Sequence, residues 1–286
     1  MAERQRLSHD AFAGEHPLPS LAEHVRARDP DRFLAALFAP APHRETLFTL
    51  IAYNAELARA RAAASNPLAA LIRLQWWRDA IEEARAGKPP RRHEVAEPLH
   101  AAITAGALDA DSLIALADAR EAETEADGIP SAAAFAGYLR ATAGGLAIAA
   151  ARLLVADPAW LPLIERLGAG YGLAGVLRSV PHLARAGRCL LPVEPLAAVG
   201  LNCEAVWAAP DTAAPLIRAM AEEGGARLAE ARAEARAMPR ALLAATLPAV
   251  FASRDLARLA RGAATPDARG LLDRAALITA GLRGRL

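Results

Sequence analysis

Apolar residues recur along most of this chain at spacings of three and four. The runs are separated by proline, glycine and short polar caps, a helical pattern rather than the alternation of strands. The clearest run predicts a helix over residues 42–64, where Leu47, Leu50, Ile51, Asn54, Leu57, Ala58 and Arg61 share one continuous face. Before it, a short helix is expected at 21–28. Asp29-Pro30 then supplies an N-cap and a first-turn proline for a helix at 31–38. Asn66-Pro67 starts the next, which runs to Gly87 and cannot continue through Pro89-Pro90. Further helices are expected near 94–104, 109–127, 131–155 and 158–186. A looser stretch with Pro195, Gly200 and Pro210 follows. Two long alanine- and arginine-rich helices at 212–238 and 240–262 come next, and Thr265-Pro266 opens a last one to about residue 282. Residues 1–18 read as a flexible polar lead-in, an expectation from their composition. No repeat or composition break divides the rest, so 19–286 is expected to be one all-α domain of about ten helices.

Composition supports helices over sheet. The 286 residues are 54% hydrophobic but only 5% aromatic, and alanine is prominent. A net charge of +1 lacks the basic excess of a nucleic-acid binder. Cys189 and Cys203 have no metal-binding or redox spacing and read as small buried residues in a reducing compartment. No uninterrupted apolar run reaches the roughly 18–20 residues of a membrane span. The first residues lack the apolar centre of a secretory signal. The expectation is a cytoplasmic protein, and peripheral contact with the inner membrane is compatible with it.

Residues 168–192 organise the chain: GAGYGLAGVLRSVPHLARAGRCLLP. Gly168, Gly170, Gly172, Ala174 and Gly175 would let another helix approach closely. This stretch resembles the second signature helix of the squalene/phytoene synthase family, L-x-N-I-L-R-D-x-x-x-D followed by G-R-x-Y-L-P. Leu173, Val176, Leu177, Arg178, Gly187-Arg188 and Leu191-Pro192 carry the likeness. Three other stretches are similar in the family's order. They are Arg32-Phe33 through Pro40 with Arg44, the run Leu47 to Asn54, and Tyr138 with Ala143-Gly144. The resemblance covers roughly residues 30–262. It implies a single-domain, isoprenoid-synthase-like helical bundle with a central cavity.

In that family two aspartate-rich motifs hold Mg²⁺ ions that bridge to a substrate diphosphate, using hard oxygen ligands. The corresponding positions here are Ala58, Ala62, Ser179 and Leu183, and Gly175 stands where the family has asparagine. None of the four can ligate magnesium through a carboxylate. Arg59 and Arg61 bring positive charge where the family has negative. The run Leu47–Arg59 and the Ile72–Arg78 helix look closest to a divergent branch that includes assembly factors for respiratory complex I, a branch regarded as non-catalytic in prenyl transfer. The resemblance therefore implies no catalytic residues, no metal site and no cofactor. Magnesium is required only under the alternative, an active transferase condensing two prenyl diphosphates.

Candidate ligand-binding residues are Arg32, Phe33, Arg44, Asn54, Arg59, Tyr138, Arg178 and Ser179. The arginines could meet a diphosphate or phospholipid head group directly, guanidinium replacing metal. Against that, Arg59 and Arg61 could be surface residues paired with Glu56 and other acids. The expected partners are a prenyl diphosphate or phospholipid, or a respiratory membrane complex under assembly. Asp118, Glu121 and Glu125, with Glu123 and Asp127 nearby, read as a solvated acidic face rather than a substitute metal site. Trp76 and Trp77 read as one core anchor and one rim residue. His182 reads as structural, and Pro181 should kink its helix.

Overall fold

The computed structural model describes residues 20–124, 127–263 and 268–286. The expected lead-in at 1–18, Glu125 and the Thr265-Pro266 start signal lie outside them. Among the described residues the chain forms α1 (Leu21–Arg28), α2 (Pro30–Ala36), α3 (Ala41–Arg59), α4 (Pro67–Arg85), α5 (Ala96–Thr104) and α6 (Ala110–Ala119). The short strand β1 (Asp127–Ile129) is followed by α7 (Ala132–Leu139), α8 (Gly145–Leu153), α9 (Leu161–Arg185) and β2 (Cys189–Pro192). Then come α10 (Val193–Ala198), α11 (Cys203–Ala208), α12 (Ala214–Glu234), α13 (Leu243–Thr246), α14 (Pro248–Ala260) and α15 (Leu271–Arg283). The architecture is an all-α bundle.

Local chemistry sets many helix starts. Ser20 and Glu23 form a reciprocal capping box on α1. Asp29 accepts from the backbone N–H of Arg32 at 3.0 Å and Pro30 opens α2. Asn66 caps α4 in the same way, through the N–H of Ala69 at 2.9 Å. Gly87, at φ +66°, closes the turn after α4 without the strain a side chain would meet there.

Several expected helices are shorter than their periodicity suggests. The helix expected at 42–64 ends at Arg59, and Arg61 lies in the following turn with its Nε donating to the Thr124 carbonyl at 3.0 Å. Ala58 and Ala62 therefore do not share one helix face. The helix expected at 109–127 gives way after Ala119 to a 3₁₀ turn, Arg120–Glu123. The helix expected at 131–155 contains a π segment, Arg140–Gly144, between α7 and α8. The loose stretch around 193–210 holds α10 and α11. The two strands pair in parallel, Asp127 opposite Cys189 and Ile129 opposite Pro192. Runs of three and four residues have too short a period to be visible in sequence. Helix α9 continues through Pro181 to Arg185.

The centre of the bundle is α9. A Cβ placed on Gly168 would lie 2.6 Å from the Ala143 carbonyl oxygen, and one on Gly172 would lie 2.8 Å from Ala143 Cβ. Glycine is needed there because the π segment leaves no room for a side chain. Gly175, by contrast, has nothing within 4 Å of that position. The segment Ala132–Leu153 is long and apolar enough by composition to cross a membrane, but half of its most apolar window is buried inside the bundle. It is a core helix here, with Leu146, Ala147 and Ala150 facing inward.

A narrow central cavity lies among α2, α3, α8, α9, α13 and α14. Its empty volume is about 430 Å³, open in part to solvent. Leu47, Leu50, Ile51, Leu146, Ala150 and Leu167 make it apolar, and Arg32 and Tyr171 bring polarity to it.

Candidate functional site

Two polar clusters sit on this core. The first gathers around the turn Arg120–Glu123. The Glu123 carboxylate is only 6% exposed. Its Oε1 accepts from Arg120 at 2.5 Å and from the Tyr138 hydroxyl at 2.7 Å. Arg120 also donates to Asn54 Oδ1 at 2.9 Å, tying α3 to this turn. Burial, and then the Glu123 charge, push the Tyr138 hydroxyl well above its usual range. Tyr138 is thus a neutral donor at physiological pH.

Two more guanidiniums rest on the end of the same turn. Arg188 donates to the Glu123 carbonyl at 3.0 Å, and Arg61 to the carbonyl of the next residue, Thr124. Arg188 is 8% exposed and its Nε has no partner among the described residues. Burial lowers its pKa, and the charge of Arg61 acts in the same direction against Glu123. A guanidinium does not lose its proton in proteins, so the lowering marks a poorly solvated cation. Arg120 thus pairs with the buried carboxylate, while Arg61 and Arg188 sit on backbone carbonyls at the end of the same turn.

The second cluster crosses the bundle between α2, α9, α14 and α15. Arg32 donates to Asp29 at 2.8 Å and lies 4.6 Å over the Tyr171 ring. Burial opposes the Arg32 charge, but Asp29 and Tyr171 together outweigh it and raise the pKa. The Tyr171 hydroxyl donates to Asp31 at 3.1 Å. Asp31 is held by Arg269, which also donates to Asp255 at 2.7 Å. Asp255 further accepts from Arg178 at 3.2 Å and from Arg258 at 3.2 Å. Arg258 continues to Asp273 at 2.6 Å, where Arg254 also donates.

The expected ligand-binding residues divide between these clusters and the surface. Asn54 and Tyr138 meet through Arg120 and Glu123. Arg32 and Arg178 belong to the second network, and Arg178 is already paired with buried Asp255. Phe33 stacks on Phe48, ring centres 5.5 Å apart, and packs on the core. Arg44 donates to the Ala39 carbonyl at 3.0 Å. Arg59 pairs with Glu56 at 3.3 Å on the half-exposed surface. The Ser179 hydroxyl donates back to the Val176 carbonyl at 2.8 Å. These eight residues therefore do not converge on one pocket.

The acidic stretch needs one correction. Asp118 and Glu121 are exposed and both accept from Arg78, as a solvated face would. Glu123 is not part of that face but the buried centre of the first cluster. The 3₁₀ turn rotates it inward, out of the α-helical periodicity of the acidic run. Trp77 is buried and Trp76 half-buried, edge to face at 4.9 Å, and His182 is exposed. Cys189 and Cys203 are both buried. Asp31, Asp255, Asp273, Tyr171 and Arg269 had no signal of their own in the sequence, because their partners are remote along the chain.

The order of these elements, the α9 glycines against the π segment and the Gly187-Arg188 turn into β2 correspond to the motifs quoted above. The squalene/phytoene synthase family model matches residues 25–275. The chain belongs to the squalene/phytoene synthase family. Solved members share its fold. A squalene synthase, HpnC, from Alicyclobacillus acidocaldarius superposes with a TM-score of 0.71 at 16% identity, over 85% of this chain and 92% of its own. A dehydrosqualene synthase in complex with ligand gives 0.74 at 12% identity, over 92% and 94%. Among characterised sequences, the human NADH dehydrogenase (ubiquinone) complex I assembly factor 6 is 26% identical over 173 residues, 60% of this chain and 52% of its own length. The mouse protein of that name is 27% identical over 183 residues, 64% and 55%. The chain spans about half the length of these relatives.

The residues present do not fit the family's magnesium ions. Ala58 and Ala62 are exposed, Ser179 is half-buried and turned onto its own helix, and Leu183 is buried in the core. Glu123, the buried acid of the first cluster, already takes Arg120 and Tyr138. Among the described residues no three His, Cys, Asp or Glu side chains are grouped to hold a metal.

Proposed function

We propose that this family member has lost head-to-head prenyl transfer and works as a binding or assembly factor for a respiratory membrane complex. The observation that carries this reading is the replacement of all four aspartate positions, with guanidiniums where a metal-bound diphosphate would need carboxylates. Without those ligands no Lewis acid neutralises departing diphosphate. The relatives named as complex I assembly factors support the assembly role. The saturated ion pairs around Asp255 and the narrow cavity support a structural rather than a catalytic centre.

The ligand we assign is an anionic prenyl or phospholipid head group, held without metal by Arg61 and Arg188, the guanidiniums of the first cluster with no carboxylate partner among the described residues. Charge-assisted bonds from guanidinium to phosphate supply what magnesium supplies elsewhere. A chain longer than a few atoms needs the cavity lining to part, since the space between its side chains is narrow.

The test incubates the purified protein with farnesyl and geranylgeranyl diphosphates, with Mg²⁺ and with EDTA. No prenyl product is expected in either. Binding of farnesyl diphosphate should survive EDTA and weaken about tenfold in Arg61→Ala, the loss of one charged hydrogen bond. Deleting the gene in its own cell should deplete the assembled NADH dehydrogenase complex. Metal-dependent squalene or phytoene would overturn the reading, and undiminished complex assembly would remove the assembly role.

A further inference from the structure

The last helix, α15, carries an apolar face that nothing in the bundle covers. Leu271, Ala275, Ile278 and Leu282 follow at steps of four, three and four, and Leu272 and Thr279 lie beside them. Leu271 is 85% exposed, Leu272 78% and Leu282 68%. The opposite side is what holds the helix in place. Asp273, Leu277 and Gly281 are buried there, and a Cβ on Gly281 would lie 2.4 Å from the Phe38 ring. The helix is therefore docked firmly in one orientation, with Leu271, Leu272 and Leu282 turned outward.

Arginines border this face. At 3.6 residues per turn Arg274 lies along one edge of the stripe and Arg283 along the other. Arg285 follows the helix. None of the three pairs with an acid among the described residues. The single acid of α15, Asp273, is buried and taken by Arg254 and Arg258. Beside the helix, Arg232, Val250, Arg254, Leu272, Arg285 and Leu286 line a groove shared with α12 and α14. Arg232 enters it half-buried, bonded only to the Ser253 hydroxyl, and its Nε has no partner among the described residues.

From these observations we infer that α15 is a membrane-docking helix that lies flat on an anionic bilayer, with its leucines among the acyl chains and its arginines at the phosphates. An exposed apolar stripe with cationic edges is the pattern of an interfacial helix. The long arginine side chains can lie along the apolar surface and keep their charges at the head groups. The charge complement is a surface of negative lipids, which attracts each nearby arginine. A protein partner is a poorer match, because the stripe is a convex aliphatic ridge without the tryptophan or tyrosine anchors that dominate protein interfaces. This inference stands apart from the central cavity and from the assembly role.

The experiment is flotation of the full chain with vesicles of phosphatidylcholine alone and of phosphatidylcholine mixed with phosphatidylglycerol. Binding is expected to the mixed vesicles and to fall as salt screens the arginines. The double variant Leu272→Glu/Leu282→Glu should lose about tenfold or more in partitioning, and Arg283→Glu/Arg285→Glu a similar amount. Leu68→Glu/Ile72→Glu, at exposed apolar positions on α4, should bind like the parent. Thermal melts of each variant confirm folding, and farnesyl diphosphate binding should be unchanged. Equal flotation on both vesicles, no flotation at all, or retention by the α15 double variant overturns the inference.

Discussion

Arg269 grips Asp31 across 238 positions of sequence, its Nε and Nη2 lying 2.9 and 2.7 Å from the same carboxylate oxygen. The same guanidinium reaches Asp255 and lies 4.5 Å over the Phe251 ring. One side chain thus joins α2, α14 and the approach to α15. Removing it leaves two buried carboxylates short of a counter-charge. Arg269→Ala should cost about 3–5 kcal/mol in chemical denaturation. Arg269→Lys should recover part of that, because ammonium cannot form the same fork. A loss under about 1 kcal/mol would put this pair with exposed ion pairs instead.

Asp273 makes the network sensitive to acid. Burial alone would raise its carboxyl, but the hydrogen bonds from Arg258 and Arg254 outweigh burial and hold it below the usual range. A depressed folded-state pKa means the contribution is complete above the unfolded value of about 3.9 and lost as pH falls through the folded value. The melting temperature should therefore drop as pH is lowered below about 4. Asp273→Asn should be less stable at neutral pH and lose less on acidification. A parallel pH profile for the two proteins would contradict this.

The glycines of α9 should respond in opposite directions. Gly168→Ala drives a methyl into the Ala143 carbonyl and should destabilise by roughly 1–3 kcal/mol. Gly175→Ala meets open space inside a helix and should stabilise by about 0.5–1 kcal/mol. Differential scanning calorimetry of both variants is a direct check. A destabilised Gly175→Ala would mean that this face has a partner.

Restoring the family's carboxylates should not restore a metal site as a set. Ala58→Asp and Ala62→Asp lie on the surface and should leave stability within about 0.5 kcal/mol of the parent. Leu183→Asp places a carboxylate in the core and should cost several kcal/mol, roughly 2–5 from the lost leucine alone. Mg²⁺-dependent stabilisation of the combined Ala58→Asp, Ala62→Asp and Ser179→Asp protein, read as a shift in melting temperature, would show that the scaffold still presents a metal geometry.

The periodic apolar spacing and the local caps, Ser20, Asp29, Asn66 and Asp109 among them, determine most helices, since each acts within a few residues. The motif frame around Arg178 and Gly187-Arg188 points to the family, and the resemblance sets Ala58, Ala62, Ser179 and Leu183 at its metal-carboxylate positions. Tertiary structure alone decided where the charges go. Glu123 lies in the same acidic run as Asp118 and Glu121, yet a 3₁₀ turn buries it against Tyr138 while Arg78 takes the other two at the surface. Arg178 keeps its family position, but Asp255, 77 residues away, takes its charge. Helix α15 is amphipathic in sequence, and only the burial of Asp273, Leu277 and Gly281 against the bundle turns Leu271, Leu272 and Leu282 toward solvent. Local pattern is written in neighbouring residues, whereas partner choice for a buried charge depends on groups that only the folded chain brings within hydrogen-bond reach.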